Sequence, residues 1–172
     1  MRSEETENMV KKARQKDPDA FTELMQFYLK DMYRVAIAIL LNDEDAADAI
    51  QDTILVCWEK INTIKKPQYF KTWMTRILIN HCYKIRNRAK MAGTLGEYEE
   101  PAVYDQYNLE LKEALASLDE KYRIVMTLFY SEGYRINEIA EMLNIPKSTV
   151  QTRLHRGRKK LARDYYEIRE GV

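Results

Sequence analysis

The 172-residue chain has little of what secreted, membrane-spanning or enzymatic sequences display. Its two cysteines, Cys57 and Cys82, both fall inside helical patterns and make no paired framework, so reduced thiols are expected. No apolar run reaches the length of a membrane span, and the opening MRSEETENMVKK lacks the hydrophobic core of a signal peptide, so a cytoplasmic chain is expected. There is no glycine-rich phosphate loop, and Asp48, Asp52 and Glu59 have no histidine or nucleophile at helical spacing. That argues against an enzyme, a cofactor and a small-molecule substrate. His81 beside Cys82 invites a metal, but adjacent residues do not share a helix face and no second pair completes a tetrahedral set, so none is expected. Internal repeats and low-complexity tracts are also missing.

What is present is charge sorted along the chain. A net charge of +1 hides the sorting. Lys60 to Lys90 holds nine basic residues and no acidic one, Asp43 to Asp52 five acidic and no basic, and Ala92 to Leu111 acidic residues only. Faces of opposite sign imply several partners of opposite charge.

The last third is the most informative. Ile136, Ile139, Ala140 and Leu143 recur at helical spacing. Asn144 suits the left-handed turn that ends that helix, and Pro146 suits the first turn of the next. Val150, Leu154 and Leu161 give the second helix its buried seam. Lys147 to Arg163 carries seven basic residues and no acidic one. A short helix, a tight turn and a helix polar at its start and basic at its end suit a helix-turn-helix that enters a major groove. Gln151 and Thr152 lie where side chains reach base edges, and Arg156, Arg158, Lys159 and Lys160 where they hold phosphates. A helical hairpin with a solvated basic face is the bland alternative.

Earlier, Met9, Val10 and Ala13 form a weak helical stripe. Asp17 and Pro18 start a long amphipathic helix through Phe21, Leu24, Tyr28, Met32, Val35 and Ile39, ending near Leu41. Asn42 and Asp43 can cap the next, with Ala47, Ile50, Ile54, Cys57, Trp58 and Ile61 inward and Asp45, Asp48, Gln51, Asp52 and Glu59 outward. The helix dipole accounts for some of those carboxylates, but no neighbouring lysine or arginine pairs with them, which leaves a face for a basic partner. Asn62 to Gln68 reads as a loop. A third long helix from about Tyr69 to Lys90 runs Phe70, Trp73 and Ile77, with His81 or Ile85, along a seam amid Lys71, Arg76, Lys84, Arg86, Arg88 and Lys90. Aromatics among cations suit unstacked bases, although Phe70 and Trp73 taken singly read rather as core. Met91 to Tyr107, with Gly93, Gly96 and Pro101, reads as a flexible acidic linker. Helices resume with Leu109, Leu111, Leu115 and Leu118, a capping box over Ser117 to Glu120, then Ile124, Val125, Leu128 and Phe129, closed by Gly133.

Four stretches in this order resemble a bacterial sigma factor of the extracytoplasmic-function group, the smallest of the sigma-70 type: DAFTELMQFYLKDMYRVA, DEDAADAIQDTILVCWEKI, YFKTWMTRILINHCYKIR and SLDEKYRIVMTLFYSEGYRINEIAEMLNIPKSTVQTRLHRGRKKL. The resemblance implies an all-α chain of two small helical domains. Residues 1–90 would be region 2, 91–107 the linker and 108–172 region 4, a helix-turn-helix. It implies docking on the RNA polymerase core, at the beta-prime clamp helices through Asp45, Asp48, Gln51, Asp52 and Glu59, and at the beta flap. The minus-ten promoter element would be captured, with a flipped base, by the loop and Lys65, Lys66, Tyr69, Phe70, Trp73, Arg76, Ile77, Asn80 and Lys84. The minus-thirty-five element would be read by Lys147, Ser148, Thr149, Gln151, Thr152, Arg153, His155, Arg156, Arg158 and Lys159. It further implies promoter DNA as ligand, a linker lying toward the RNA exit path, and an anti-sigma factor, often membrane-anchored, as inhibitor. YFKTWMTRILIN looks closest to envelope-stress members. Departures are Lys84 at a commonly acidic position, Gly157 for a usual alanine, Asp119 at a common proline and Arg135 at a small or capping position; Gln151 and His155 are uncommon choices at the reading positions. Gly157 should cost about 1 kcal/mol of helix stability and points to a close backbone approach. The competing function is a free-standing helix-turn-helix regulator with an N-terminal sensing domain; a pure protein-interaction module would leave the basic helix idle.

Overall fold

A computed structural model describes residues 3–93 and 116–170, and the regular structure among them is helical. Seven α-helices run along the described chain: α1 (Ser3–Arg14), α2 (Pro18–Leu40), α3 (Asp43–Lys60), α4 (Phe70–Ala92), α5 (Glu120–Met126), α6 (Ile136–Leu143) and α7 (Lys147–Glu170). Two 3₁₀ turns, Ile61–Thr63 and Pro67–Tyr69, join α3 to α4, and a π turn, Thr127–Ser131, ends α5.

Local chemistry sets the boundaries. Asp17 Oδ1 accepts from the amides of Asp19 (3.0 Å) and Ala20 (3.1 Å), and Pro18 follows at the first helical position, so two features start α2 together. The helix stops at Leu41, which is left-handed (φ 51°), and Asn42 Oδ1 then caps α3 through the Asp45 amide at 2.8 Å. Asn144 (φ 52°) turns the chain between α6 and α7. Lys16 caps α3 from outside by donating its ammonium to the Trp58 carbonyl, 4.8 Å above the Trp58 ring.

The front half packs α2, α3 and α4 against one another around Leu24, Met32, Ile61, Phe70, Met74, Leu78 and Ile79, with α1 laid over α2 and the two turns. In the rear half α5 and α6 pack on α7 through Ile124, Leu128, Ile139, Val150 and Leu154. The halves touch, α2 against α5 and α4 against α6. Arg123 of α5 is buried between them, donating to the Ala38 carbonyl (2.5 Å) and the Leu118 carbonyl (2.6 Å). Ala38 lies in the last turn of α2, which has no basic residue of its own, so the rear half supplies the cation that this helix end favours.

Several expectations are corrected. The inner face of α3 is Ala46, Ala49, Ile50, Thr53 and Cys57; Ala47 is exposed, and Ile54 and Trp58 are half-buried. The seam of α4 is Phe70, Met74, Thr75, Leu78, Ile79 and Cys82, leaving Trp73, Ile77, His81 and Ile85 half-buried. Both seams shift because each helix is covered from two sides and buries a wider arc than a single stripe. Ser117 to Glu120 is no capping box: Asp119 holds the N-cap position, and the Ser117 hydroxyl donates to Asp164 (2.9 Å) on α7. The Asn62 to Gln68 loop consists largely of two 3₁₀ turns. Met91 and Ala92 extend α4, which ends at Gly93 (φ 67°); the rest of the expected linker, with Leu109, Leu111 and Leu115, lies outside the described residues.

Candidate nucleic-acid interfaces

Three surfaces follow from this packing. On α3, Asp48, Gln51, Asp52 and Glu59 are exposed and Asp45 half-exposed on one stripe. Among the described residues Asp52 meets only His81, whose Nδ1 is 3.9 Å from its carboxylate. Burial lowers the His81 pKa, Asp52 opposes that shift, and Lys84 adds to it. In the middle of the stripe stands Leu55, 62% exposed. Sequence periodicity missed it because it counted apolar residues only toward a core; an isolated leucine at i+3 and i+4 from Asp52 and Gln51 was the available signal.

On α4 the side away from the core carries Tyr69, Trp73, Ile77, Asn80 and Lys84 at spacings of three and four, beside Lys65 and Lys66 of the turn. Tyr69 is 53% exposed, with Lys66 Nζ 5.9 Å from its ring centroid. Buried Ile61 and Ile64 anchor the turn beneath. Phe70 does not belong to this face. It is 1% exposed, with its ring 5.8 Å from both Tyr28 and Trp73, so it supports the surface from within the core. Arg76 lies at the edge, 3.4 Å from Glu141 of α6.

The exposed side of α7 divides into a ridge and two flanks. Ser148, Thr152, His155 and Lys159 form the ridge, although the Thr152 hydroxyl already donates to the Ser148 carbonyl (2.9 Å). Lys147, Gln151 and Arg158 lie on one flank, with Arg158 Nη1 donating to Tyr130 Oη at 3.3 Å. Thr149, Arg153 and Arg156 lie on the other, toward α5. The inner side is Val150, Leu154 and Gly157. A β-carbon at Gly157 would stand 3.1 Å from Met126 Cγ and 3.2 Å from its Sδ, the close approach expected there.

No group of three or more histidine, cysteine or carboxylate side chains suited to a metal occurs among the described residues, and none of their helices is long and apolar enough to cross a membrane.

Comparison with known proteins identifies the family. Residues 24–91 match the family model "Sigma-70 region 2" and residues 108–161 match "Sigma-70, region 4". The chain is 28% identical to the ECF RNA polymerase sigma factor SigW of Bacillus subtilis over 92% of its own length and 96% of that protein's. It is 29% identical to RNA polymerase sigma factor SigV of the same organism, over 76% of this chain and 81% of the other. Among solved structures, RpoE of Bartonella quintana in complex with the anti-sigma factor NepR superposes with a TM-score of 0.71 at 24% identity, covering 84% of this chain and 95% of that one. CnrH in complex with the cytosolic domain of CnrY gives 0.64 at 22% identity, covering 92% and 95%; these two likenesses concern the fold. With both regions present in order and relatives aligned nearly end to end, the chain belongs to the sigma-70 family of RNA polymerase sigma factors, in its extracytoplasmic-function group.

Proposed function

We propose that the chain directs core polymerase to its promoters by dividing the work among the three surfaces, and that it catalyses nothing itself. The α3 stripe docks on a basic surface of the polymerase, the clamp helices of the beta-prime subunit, while the rear half reaches the beta flap. The exposed side of α4 with its turn takes the melted minus-ten element, Tyr69 and Trp73 offering ring faces and Lys65, Lys66, Asn80 and Lys84 holding the strand. The ridge of α7 with Gln151 reads the minus-thirty-five duplex. The chain divides into a region 2 domain (residues 1–90), a linker (91–107) and a region 4 domain (108–172), a division supported by the family matches over 24–91 and 108–161. The carrying observation is that one chain presents two basic surfaces of different make, one aromatic and one polar, beside a separate acidic one. A free-standing regulator needs only the second.

The likeness to sigma factors held by anti-sigma factors supports a protein inhibitor of the same kind, and the resemblance of YFKTWMTRILIN to envelope-stress members supports such genes as targets of a chain that acts in the cytoplasm. The deciding experiment is transcription by purified sigma-free core polymerase on genomic fragments, including the chain's own upstream region. Defined transcripts that depend on the added chain are expected. Tight duplex binding by the chain alone, with no transcript from any template, favours the free-standing regulator and overturns this function.

A further inference from the structure

Lys16 stands between α1 and α2 with a left-handed backbone (φ 65°), a conformation that glycine adopts freely and a lysine only at a cost. The turn is a regular helix end. The Lys16 amide donates to the Ala13 carbonyl at 3.0 Å and the Asp17 amide to the Lys12 carbonyl at 3.3 Å, a pattern whose left-handed position usually holds glycine. Glycine would serve that turn better, so the turn does not account for the lysine. The side chain does. Its ammonium donates to the Trp58 carbonyl, lies 3.5 Å from the Glu59 carbonyl and stands 4.8 Å from the Trp58 ring centroid. The Phe21 ring, 5.0 Å from that of Trp58, holds the indole as well.

Trp58 and Glu59 belong to the last turn of α3, where a helix leaves carbonyls without intrahelical donors and favours a cation. The following acceptors are met locally, the Lys60 carbonyl by the Thr63 hydroxyl (2.7 Å) and the Ile61 carbonyl by the Ile64 amide (3.2 Å). Lys16 instead arrives from 42 residues earlier, ahead of the residues 24–91 that match region 2. From this helix end the chain runs directly into the two 3₁₀ turns and the residues Lys65, Lys66 and Tyr69. Helix α1 packs on both turns, with its Val10 and Ala13 fully buried.

We propose that Lys16 is a positioning residue for the minus-ten surface: its ammonium fixes the end of α3, and with it the place of the turns that present Lys65, Lys66 and Tyr69, without itself touching DNA. The assignment rests on the minus-ten role proposed above for α4 and its turn. Backbone strain at Lys16 is thereby explained by the tie its side chain makes between two elements.

The test compares the wild type, Lys16→Gly and Lys16→Arg as purified holoenzymes on single-stranded minus-ten oligonucleotides across a salt series. Glycine suits the left-handed turn, so Lys16→Gly removes the ammonium while the fold persists, and arginine keeps a cation that can donate and stack. Lys16→Gly is expected to weaken binding about three- to tenfold with an unchanged salt slope, and Lys16→Arg to stay within about twofold of the wild type. Hydrogen-exchange mass spectrometry of the full chain should show faster exchange over residues 61–69 in Lys16→Gly, with the centres of α2 and α4 unaltered. Equal affinity of Lys16→Gly and wild type overturns the proposal, as does a Lys16→Arg variant as weak as Lys16→Gly. A slope flattened by about 0.7 makes Lys16 a direct phosphate contact, and faster exchange throughout the front half makes it a general stabiliser; either also overturns it. A wild-type holoenzyme that initiates while Lys16→Gly keeps its minus-ten affinity refutes the positioning role and leaves the function standing. A wild-type chain that starts no transcript refutes the function, and the positioning role with it.

Discussion

Gln151 stands in solvent one turn into α7, with no backbone or side-chain partner competing for its amide among the hydrogen bonds of that helix. An amide so placed can give and accept one bond each to an adenine edge, a contact worth about 1–3 kcal/mol of discrimination. Gln151→Ala is therefore expected to change the ranking of promoters by minus-thirty-five sequence in run-off assays; an unaltered ranking removes Gln151 from the reading set. The cysteines make an opposite case. Cys57 and Cys82 are buried, and burial pushes each thiol up to about 12, with a smaller upward push on Cys82 from Glu120. Thiolate is the reactive form, so both should resist iodoacetamide at pH 8 until guanidinium unfolds the chain, as mass spectrometry would record; rapid alkylation of the native protein contradicts that burial. Single residues were the least legible part of the sequence. Phe70 reads as a core ring when taken singly and as a stacking ring when set among its neighbouring cations, and only the surrounding packing distinguishes the two. Leu55 carries only a faint local mark, an apolar side chain on a charged stripe, because it matters for the solvent-facing side of its helix.

Helices, by contrast, were largely written in local chemistry. The Asp17–Pro18 start, the Asn42 cap, the turn at Asn144 and the close approach at Gly157 each depend on a residue type whose backbone or side chain does one job. The seams of α3 and α4 were not legible to the same degree, since which residues are buried depends on how many neighbours a helix has. Predictions on docking and on packing belong at this scale. The acidic stripe of α3 should lose core polymerase on charge reversal: Asp48→Lys with Asp52→Lys is expected to weaken binding at least tenfold at low salt, about 1.4 kcal/mol, with unchanged circular dichroism. Leu55→Ala should cost about 1–2 kcal/mol of the same affinity by removing the apolar centre of a charged patch. Equal affinity of both variants in a pull-down refutes the docking assignment. On α7, Gly157→Val places branched carbon against Met126, which is 5% exposed and has little room to retreat. A loss of about 1–3 kcal/mol in urea unfolding is expected, whereas a gain would mean that Met126 repacks and helix propensity dominates.

At the scale of the whole molecule the sequence was silent, because the contacts between the halves join residues far apart in the chain. Glu132, just past α5, has a side chain only 1% exposed against the front half. Its Oε1 accepts from Arg34 Nε at 2.7 Å, while Lys71 Nζ, 3.2 Å from Oε2, donates instead to the Glu132 carbonyl and leaves Oε2 with a charge contact but no hydrogen bond. Asp31 joins the cluster by pairing with Arg34 (2.5 Å) and Lys71 (3.2 Å). The Thr75 and Tyr134 hydroxyls meet 2.8 Å apart nearby. Promoter elements centred about twenty-five base pairs apart lie roughly 85 Å apart along B-form DNA. A chain whose α4 touches α6 through Arg76 and Glu141 at 3.4 Å cannot span that distance, so the proposed engagement of both elements requires the halves to part and the Glu132 cluster to break. Glu132→Ala removes the anion at its centre. Arg34, 43% exposed, can fall back on Asp31 and water, so the loss should be less than for a fully buried pair, about 1–3 kcal/mol, or roughly 5- to 150-fold in the closed-to-open ratio. Small-angle scattering of Glu132→Ala should therefore show a larger radius of gyration than the wild type. Arg34→Ala should act in the same direction, and the double variant should add less than the sum, since both substitutions release one contact. If the three variants scatter like the wild type, the halves are held by the Arg123–Ala38 bond and the apolar contacts around it, and the Glu132 cluster does not set the balance between closed and open chains.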